Sequence, residues 1–232
     1  MNLSRERLQT YLQWDVSTWK HALLYWDEVL AQESLDDARA LELGAGDGGI
    51  TLYLAEKGLD VVCSDVNGPL QSAHDLIERS GFSERVSFEA VDATCIPFED
   101  NSFKFVVFKS VLGGVGMAYG YEGIQQTMRE IHRVLKPEGL LLFAENQAGS
   151  LFHQQARRLF MPWGKTWLYP SLNQLESLLS HFDDSEIGTY GFFSCIKKDF
   201  APFVLSDRLI CQSPKSRRHY MAYGYGRKAA DE

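Results

Sequence analysis

Residues 40–51 read ALELGAGDGGIT, and this stretch decides the fold of the chain. The mainly apolar residues 40–43 are typical of a short buried strand, and they run directly into a turn rich in glycine. Glycine allows a tight turn and lets a ligand lie against bare backbone. A helix-like segment follows at 49–57. The stretch therefore predicts a strand, a ligand-binding turn and a helix in succession.

The same alternation continues through the chain. Further apolar runs stand at 61–63, 86–88, 105–108 and 140–144, with helix-like segments at 69–79 and 121–135. Buried strands that alternate with helices predict an α/β fold, a Rossmann-like doubly wound sheet with helices on both faces. The first 35 residues favour helix. After Glu145 we expect a helix at 171–181 and two strands, 187–195 and 219–226, that close one sheet edge and flank an apolar segment at 200–211.

Composition narrows the class of protein. The 232 residues suit a single domain, and the 45% hydrophobic and 23% charged content excludes disorder. No apolar run reaches the roughly 18 residues of a membrane span, and the polar start does not look like a secretory signal. Four scattered cysteines argue against a zinc site or a disulfide framework and favour the cytoplasm: Cys63, Cys95, Cys195 and Cys211. No metal site is predicted.

Charge is distributed unevenly. The net charge of −8 disfavours a nucleic-acid partner, yet residues 151–170 and 213–230 contain basic side chains and no acid. Within 151–170 the basic residues alternate with aromatic ones. This pattern predicts either a lid that binds a ring or sugar with a charged group, or a satellite aromatic core. The residues are Arg157, Arg158, Trp163, Lys165, Trp167 and Tyr169.

Two aspartates follow the glycine turn at successive strand ends. Asp65 ends the second predicted strand, and an ionised carboxylate there can accept both hydroxyls of a ribose. Asp92 and Ala93 end the third, where an acceptor can meet the exocyclic amine of a base. Each aspartate alone could instead cap a helix. The glycines at 44, 46 and 49 also fit the dinucleotide pattern, so a nicotinamide cofactor remains an alternative.

Residues 41–48, Asp65, the pair 92–93 and the block EIHRVLKPEGLL at 130–141 together resemble the class I S-adenosylmethionine-dependent methyltransferases. The sequence is most similar to the small-molecule branch called type 11, and the resemblance covers about residues 38–147. It implies a seven-stranded sheet with six parallel strands and a last antiparallel strand. It also implies S-adenosylmethionine as the cofactor.

The resemblance implies roles for nine residues. Gly44, Ala45 and Gly46 would pack against the cofactor, while Glu42 would orient the turn and reach the cofactor's amino group. The backbone at Lys109 would line the methionine end. Asp65 would hold the ribose hydroxyls, and Val66 would lie beside the adenine. Asp92 and Ala93 would bind the polar edge of the adenine.

The sequence also departs from the family pattern. Lys104 replaces an acid that usually precedes the fourth strand, and Gly113 and Gly114 stand where a Glu-His pair is common. The two glycines predict either room for a bulky acceptor or a different loop shape. Without that pair, the candidate general bases are Glu145, at the end of the fifth strand, and His153.

The N-terminal helix is expected to cover the cofactor and to lend Tyr11 or Lys20 to its carboxylate. Its tryptophans, Trp14, Trp19 and Trp26, are predicted to be packing residues, and His132 is predicted to be structural. We expect one methyltransferase domain over 1–232. Its parts are an N-terminal helical cover (1–35), a cofactor-binding core (38–147), a variable substrate or lid segment (148–182) and closing strands (183–232).

The expected activity is methyl transfer to a small-molecule acceptor, which could be anionic or aromatic. The acceptor group could be a hydroxyl of a sugar, a glycan precursor or a secondary metabolite. The cofactor brings the reactive methyl group, so a catalytic triad is not required. Two alternatives stay open: an NAD(P)-dependent oxidoreductase, and a non-catalytic S-adenosylmethionine-binding scaffold. The sequence does not indicate an oligomeric state.

Overall fold

The computed structural model of the protein describes residues 4–160 and 166–230. The described chain begins with two helices and then alternates between strands and helices. In chain order the elements are α1 (Arg5–Leu12), α2 (Val16–Leu30), β1 (Arg39–Leu43), α3 (Gly49–Glu56), β2 (Asp60–Asp65), α4 (Gln71–Arg79), β3 (Val86–Ala90), β4 (Phe103–Lys109), α5 (Leu112–Val134), β5 (Leu135–Asn146), α6 (Leu151–Phe160), α7 (Leu172–Leu179), β6 (Asp184–Tyr190), α8 (Ala201–Ile210) and β7 (Met221–Arg227).

The strands form one seven-stranded sheet in the order β3-β2-β1-β4-β5-β7-β6. The first five strands in the chain pair in parallel, whereas β7 inserts between β5 and β6 and runs antiparallel to both. Six strands therefore share one direction and the last is reversed, which confirms the predicted fold. The carboxyl ends of β1, β2, β3 and β4 meet at one edge, where open α/β sheets bind ligands.

Two hydrophobic cores cover the two faces of the sheet. Successive residues of a strand point to opposite faces, and β4 shows this clearly: Phe105 and Val107 face one core, whereas Val106 and Phe108 face the other. The first core includes the helices α1 to α4, and the second includes α5 and α7. Burial on both faces explains why the central strands β1, β2, β4 and β5 contain continuous apolar runs, whereas the edge strands β3 and β6 are more exposed.

The structure corrects several predicted boundaries. α5 begins at Leu112, nine residues before the predicted start, because helix continues through the glycines on both sides of a kink at Gly120. The 200–211 segment is the helix α8, with a proline in its first turn, a position that proline tolerates. α6 was not predicted, and β6 begins and ends earlier than expected. The cap of α7 at Ser171 is a reciprocal capping box with Gln174.

Candidate cofactor and acceptor site

The glycine turn leaves an open position above Gly46. Gly44, Gly46 and Gly48 all have positive φ angles, which favour glycine. A Cβ atom at Gly44 would lie 2.6 Å from Val111 Cγ2, whereas a Cβ at Gly46 would have no described heavy atom within 4 Å. The backbone of Gly46 therefore faces free space at the carboxyl end of β1.

The first helix closes on the other side of this turn. A Cβ atom at Gly49 would collide with the carbonyl oxygen of Tyr11 in the last turn of α1. The Tyr11 hydroxyl donates to the Glu56 carboxylate, and burial and that carboxylate raise the pKa of Tyr11 to about 12. The predicted reach of Tyr11 to a cofactor carboxylate would thus compete with an existing hydrogen bond. Lys20 lines a separate groove with Arg5 and Arg208.

The Asp65 carboxylate joins the end of β2 to the glycine turn. Its Oδ2 accepts from the amide of Gly46 at 3.2 Å, and its Oδ1 accepts from the amide of Val66 at 2.8 Å. The side chains of Val66 and Leu70 are 57% and 54% exposed, an unusual degree for apolar residues beside a buried strand. They form an uncovered apolar surface next to the carboxylate.

Asp92 lies on the neighbouring segment. The amide of Val91 donates to the carbonyl of Asp65 at 3.0 Å, which brings the two aspartates to adjacent strand ends. Asp92 Oδ1 accepts from the amide and hydroxyl of Thr94, and Oδ2 accepts from Tyr119 at 3.0 Å. Burial tends to raise the pKa of Asp92, but these hydrogen bonds outweigh it and hold the pKa below its usual value. Ala93 is buried.

Beneath the turn, the buried Glu42 and the half-buried Lys109 carry groups of opposite charge that attract each other. Glu42 accepts from the Thr51 hydroxyl, and burial raises its pKa to about 7. Burial lowers the pKa of Lys109 to about 8, although the attraction of Glu42 opposes that shift. The Lys109 ammonium lies 4.2 Å from the ring centroid of Trp14. The side chain of Lys109, and not only its backbone, therefore faces the cleft.

These elements enclose a cavity of about 220 Å³, which we call the cofactor cavity. Its lining comes from the end of α1, the glycine turn and the end of β4: Tyr11, Gln13, Trp14, Glu42, Gly44, Ala45, Gly46, Gly49, Ile50, Lys109, Ser110 and Trp167. Five of the nine predicted cofactor residues lie here, while Asp65, Val66, Asp92 and Ala93 continue along the strand ends beyond it.

A second cavity of about 370 Å³ adjoins the first, and we call it the acceptor cavity. The two cavities share three lining residues, Trp14, Ser110 and Trp167. Trp14 packs against the first core as predicted, and its indole also lines both cavities, whereas Trp19 and Trp26 are fully buried. The other lining residues are Asp15, Asn146, Arg157, Tyr169, Cys195, Lys198 and Tyr220.

The glycines at the start of α5 make room for this protein's own side chains. A Cβ at Gly113 would lie 2.5 Å from the ring of Trp167, and one at Gly116 would lie 2.7 Å from Leu168. The amide of Leu168 also donates to the Gly113 carbonyl at 3.3 Å. The prediction that Gly113 leaves space for a bulky acceptor is therefore wrong, since Trp167 fills that space.

Glu145 is completely buried, and its carboxylate accepts hydrogen bonds from three backbone amides. Its Oε2 accepts from the amides of Val111 and Leu112 at 2.8 and 2.6 Å, and its Oε1 accepts from the amide of Asn146 at 2.7 Å. Burial raises the pKa of Glu145 to about 7, against the effect of these amides. The side chain holds the start of α5, and its role as a general base stays a prediction.

His153 is also buried, at the start of α6. Its Nε2 donates to the carbonyl of Phe192 at 2.8 Å, and its Nδ1 accepts from the amide of Ser150 at 3.0 Å. Burial lowers its pKa. With both ring nitrogens occupied, His153 has a structural environment that does not support its predicted role as a base. His132, predicted to be structural, packs edge-on against Phe182 at 5.2 Å.

Part of the predicted lid segment reaches the acceptor cavity. Arg157 is buried, donates to the carbonyl of Gln147 at 2.8 Å, and lies 4.0 Å from the ring centroid of Tyr169. Trp167 and Tyr169 line the cavity. Trp163 and Lys165 fall outside the described residues, as does the side chain of Arg158.

The sequence reasoning missed Asp15 and Tyr220. Asp15 occupies the break between α1 and α2, and the Tyr220 hydroxyl donates to its Oδ2 at 2.7 Å across more than 200 residues. A signal was present for Asp15, because an acidic residue beside Trp14 interrupts the helical spacing. Tyr220 carried no such signal, since only the antiparallel return of β7 brings its segment to the cleft.

Comparison with known proteins gives one family and several relatives. Residues 41–143 match the family model described as a methyltransferase domain. A methyltransferase named GfsG from Streptomyces halstedii is 32% identical over 46% of this chain and 37% of its own length. A ubiquinone/menaquinone biosynthesis C-methyltransferase, UbiE from Bartonella quintana, is 28% identical over 55% of this chain and 47% of its own. The chain thus spans less than half the length of these relatives.

Among solved structures, phosphoethanolamine N-methyltransferase 2 of Haemonchus contortus, in complex with S-adenosyl-L-methionine, has a similar fold. The TM-score is 0.65 at 18% sequence identity, over 91% of this chain and 53% of that one. At this level of sequence identity, the similarity shows a shared fold and nothing about a shared activity.

Proposed function

We propose that the chain is an S-adenosylmethionine-dependent methyltransferase that methylates a small molecule bound in the acceptor cavity, because residues 41–143 match the methyltransferase-domain family model. When bound, S-adenosylmethionine supplies an electrophilic methyl group. The protein's contribution is to bind the two molecules, orient them and exclude water.

The observation that carries the proposal is that the two cavities adjoin and have three lining residues in common. Trp14, Ser110 and Trp167 line both of them, so molecules bound in each would meet there. Methyl transfer is an in-line displacement and depends on alignment of the two reacting atoms. Orientation of this kind can lower a barrier by roughly 7–11 kcal/mol.

The residues present fit the cofactor. Gly46 offers bare backbone with free space above it, and Asp65 retains acceptor capacity for ribose hydroxyls because each oxygen accepts only one amide. Val66 and Leu70 supply exposed apolar surface for a base. Asp92, with its lowered pKa, would accept from an exocyclic amine. Glu42 would meet the cofactor's amino group.

The acceptor cavity favours a molecule that contains a ring. Trp14, Trp167, Tyr169 and Tyr220 supply much of its lining, and aromatic side chains pack well against planar rings. A hydroxyl on such a molecule remains the first candidate for the methylated atom. A ring carbon is the second candidate, because one relative is named as a quinone-pathway C-methyltransferase.

Two observations weigh against the alternatives. The antiparallel β7 between β5 and β6 departs from the strand order 3-2-1-4-5-6 of dinucleotide-binding sheets, which disfavours a nicotinamide enzyme. The scaffold alternative rests on the departures from the family pattern at Lys104, Gly113 and Gly114. Lys104 forms an ion pair with Glu33 at 3.0 Å at the start of β4, away from the cleft, and Gly113 accommodates Trp167.

Calorimetric titration with S-adenosylmethionine and, separately, with NADH tests the cofactor. We expect binding of the sulfonium compound alone, and tight binding of NADH alone would overturn the proposal. Incubation with methyl-labelled cofactor and a panel of phenols, enols, quinols and sugars then tests transfer, with the label expected on a ring-bearing compound.

No helix among the described residues is long and apolar enough to span a membrane. A cytoplasmic location stays a prediction.

A further inference from the structure

Asp15 is a buried acid in a strained position on the wall of the acceptor cavity. It follows α1 and precedes α2, with a φ of +49°, and only 2% of its surface is exposed. Residues other than glycine rarely adopt this left-handed conformation, although aspartate and asparagine tolerate it best. The fold therefore places a carboxyl group in the cavity wall at some cost in free energy.

The two oxygens of Asp15 have different environments. Oδ2 accepts from the Tyr220 hydroxyl at 2.7 Å, and that hydroxyl also lies 2.7 Å from the Thr18 hydroxyl. Oδ1 is buried and has no hydrogen-bond partner among the described residues. A buried acceptor without a donor is costly, and more so when it is charged. A ligand hydroxyl that reached Oδ1, after a small movement of the cavity lining, would remove this cost.

The lining around Asp15 limits which ligands could do so. Trp14, Tyr169 and Trp167 offer aromatic surface, and the Lys198 ammonium lies 4.5 Å from the Trp14 ring centroid. The guanidinium of Arg157 lies beside Tyr169. Nearby cations favour a ligand that becomes negative on losing its proton. A planar ring with an acidic hydroxyl, which is a phenol or an enol, satisfies each of these conditions.

We propose that Asp15 is the catalytic base of this protein and that the acceptor is a phenol or enol whose hydroxyl donates to Oδ1. This inference rests on the proposed function. The hydroxyl proton passes to Oδ1, and an oxygen lone pair forms the new bond to carbon. The carbon–sulfur bond breaks, and its electron pair stays on sulfur. Tyr220 is a positioning residue that holds Oδ2.

Burial raises the pKa of Asp15 to about 7, while the hydrogen bond from Tyr220 opposes the shift. Ionised Asp15 accepts a hydroxyl proton, whereas protonated Asp15 does not, so the preference for a hydroxyl should fall below about pH 7. Other charged or titratable groups also face Asp15 or the cavity. They are Lys109 at the end of β4, Arg157 on α6, and Cys195, Lys198 and Asp199 between β6 and α8.

The test needs no cofactor. The affinity of the protein for 2-naphthol and for its methyl ether, 2-methoxynaphthalene, is measured by fluorescence titration between about pH 5 and 8. We expect wild type to prefer the naphthol by tenfold or more at pH 8, and this preference should decline toward pH 5. Equal affinities, or a preference that does not change with pH, would overturn the proposal.

Three variants sharpen the result. Asp15→Asn keeps a residue that tolerates the positive φ, and its naphthol preference should no longer depend on pH. Asp199→Asn is the comparison variant: Asp199 accepts from the amides of Val16 and Ser17, and its charge raises the pKa of Asp15, so the naphthol preference should stay dependent on pH with its midpoint at lower pH. Tyr220→Phe removes a hydrogen bond to the charged form, so the midpoint should move to higher pH.

Cofactor titration distinguishes a failure of the proposed role of Asp15 from a failure of the proposed function. If wild type binds S-adenosylmethionine but shows no pH-dependent naphthol preference, the role of Asp15 is wrong and the proposed function stands. If wild type shows the preference but does not bind the cofactor, the proposed function fails. Asp15→Asn should bind the cofactor within about twofold of wild type, because Asp15 does not line the cofactor cavity.

Discussion

The backbone amide of Gly46 donates to Oδ2 of Asp65 at 3.2 Å, so the glycine turn and the end of β2 are joined by one hydrogen bond. The same carboxylate accepts from Val66 through its other oxygen. Asp65 therefore fixes the shape of the turn, and each of its oxygens still has a lone pair that can accept a hydrogen bond from a ligand. The side chain that positions the turn is therefore also the one that we propose binds a ribose.

Replacing Asp65 by alanine should weaken S-adenosylmethionine binding by more than tenfold, or about 1.4 kcal/mol, because both ribose hydroxyls lose their acceptor. Calorimetry measures the affinity, and circular dichroism checks that the fold is retained. Asp47→Ala is the control, since Asp47 lies in the same turn but binds the Ser72 hydroxyl. Unchanged affinity of Asp65→Ala would remove Asp65 from the site.

Gly46→Ala has two separable effects: it strains a backbone position with positive φ, and it fills space that a ligand would occupy. Both Gly46 and Gly81 have positive φ and no described atom within 4 Å of a built Cβ, so alanine at either position should cost about 1–2 kcal/mol of stability. Only Gly46→Ala places a methyl group in the cofactor cavity. We expect cofactor affinity to fall in this variant alone, and an equal effect of Gly81→Ala would contradict the location of the site.

Gly113→Ala should displace Trp167 from the wall shared by the two cavities. A Cβ at Gly113 would lie 2.5 Å from the indole ring, whereas a Cβ at Gly114 would lie 3.9 Å from it, which is ordinary contact. We expect Gly113→Ala to reduce naphthol and cofactor affinity severalfold while Gly114→Ala stays near wild type. Indole fluorescence provides an independent reading of the displacement. Identical behaviour of the two variants would exclude a wall role for Trp167.

Glu145→Gln distinguishes a structural carboxylate from a base. Because three backbone amides donate to Glu145, the substitution brings an NH₂ group against these donors and should lower the free energy of unfolding by about 1–3 kcal/mol. Chemical denaturation gives this value. A variant with wild-type stability, unchanged cofactor affinity and much reduced turnover would instead support Glu145 as the base.

Glu42 should make stability depend on pH. Its folded-state pKa of about 7 exceeds the ordinary value of 4.5, so the folded protein holds this proton more tightly than the unfolded chain. The resulting stability is complete below about pH 4.5 and is lost as pH rises through 7, at up to about 1.4 kcal/mol per pH unit. Denaturation between pH 5 and 8 should show a smaller decline for Glu42→Gln than for wild type.

The strands of the core were predictable because their signal is local. A sheet covered on both faces requires continuous apolar runs, and five of the seven strands overlap such runs in the sequence. Helix boundaries were less predictable where glycine was involved. The segment after Val111 reads as a flexible loop, yet it starts a helix because the distant carboxylate of Glu145 accepts from its first amides.

The same distinction applies to the site. Glycines and aspartates at strand ends are recognisable because backbone geometry and ribose chemistry restrict the residue type. Asp15 and Tyr220 come together from opposite ends of the chain, and no local spacing encodes that contact. Trp14 packs against the core as its helical spacing predicts, but that spacing does not show that the break between α1 and α2 also brings its indole to the cleft.

The close approach of α1 to the glycine turn has a kinetic consequence. Because the Tyr11 carbonyl lies against Gly49, and Gln13 and Trp14 line the cofactor cavity, the chain's first helices would hold a cofactor whose methionine end filled this cavity. We therefore expect exchange of spent cofactor for fresh cofactor to be paced by opening of α1. Turnover would then fall when solvent viscosity is raised or when this helix is cross-linked, even if the rate of the methyl-transfer step does not change.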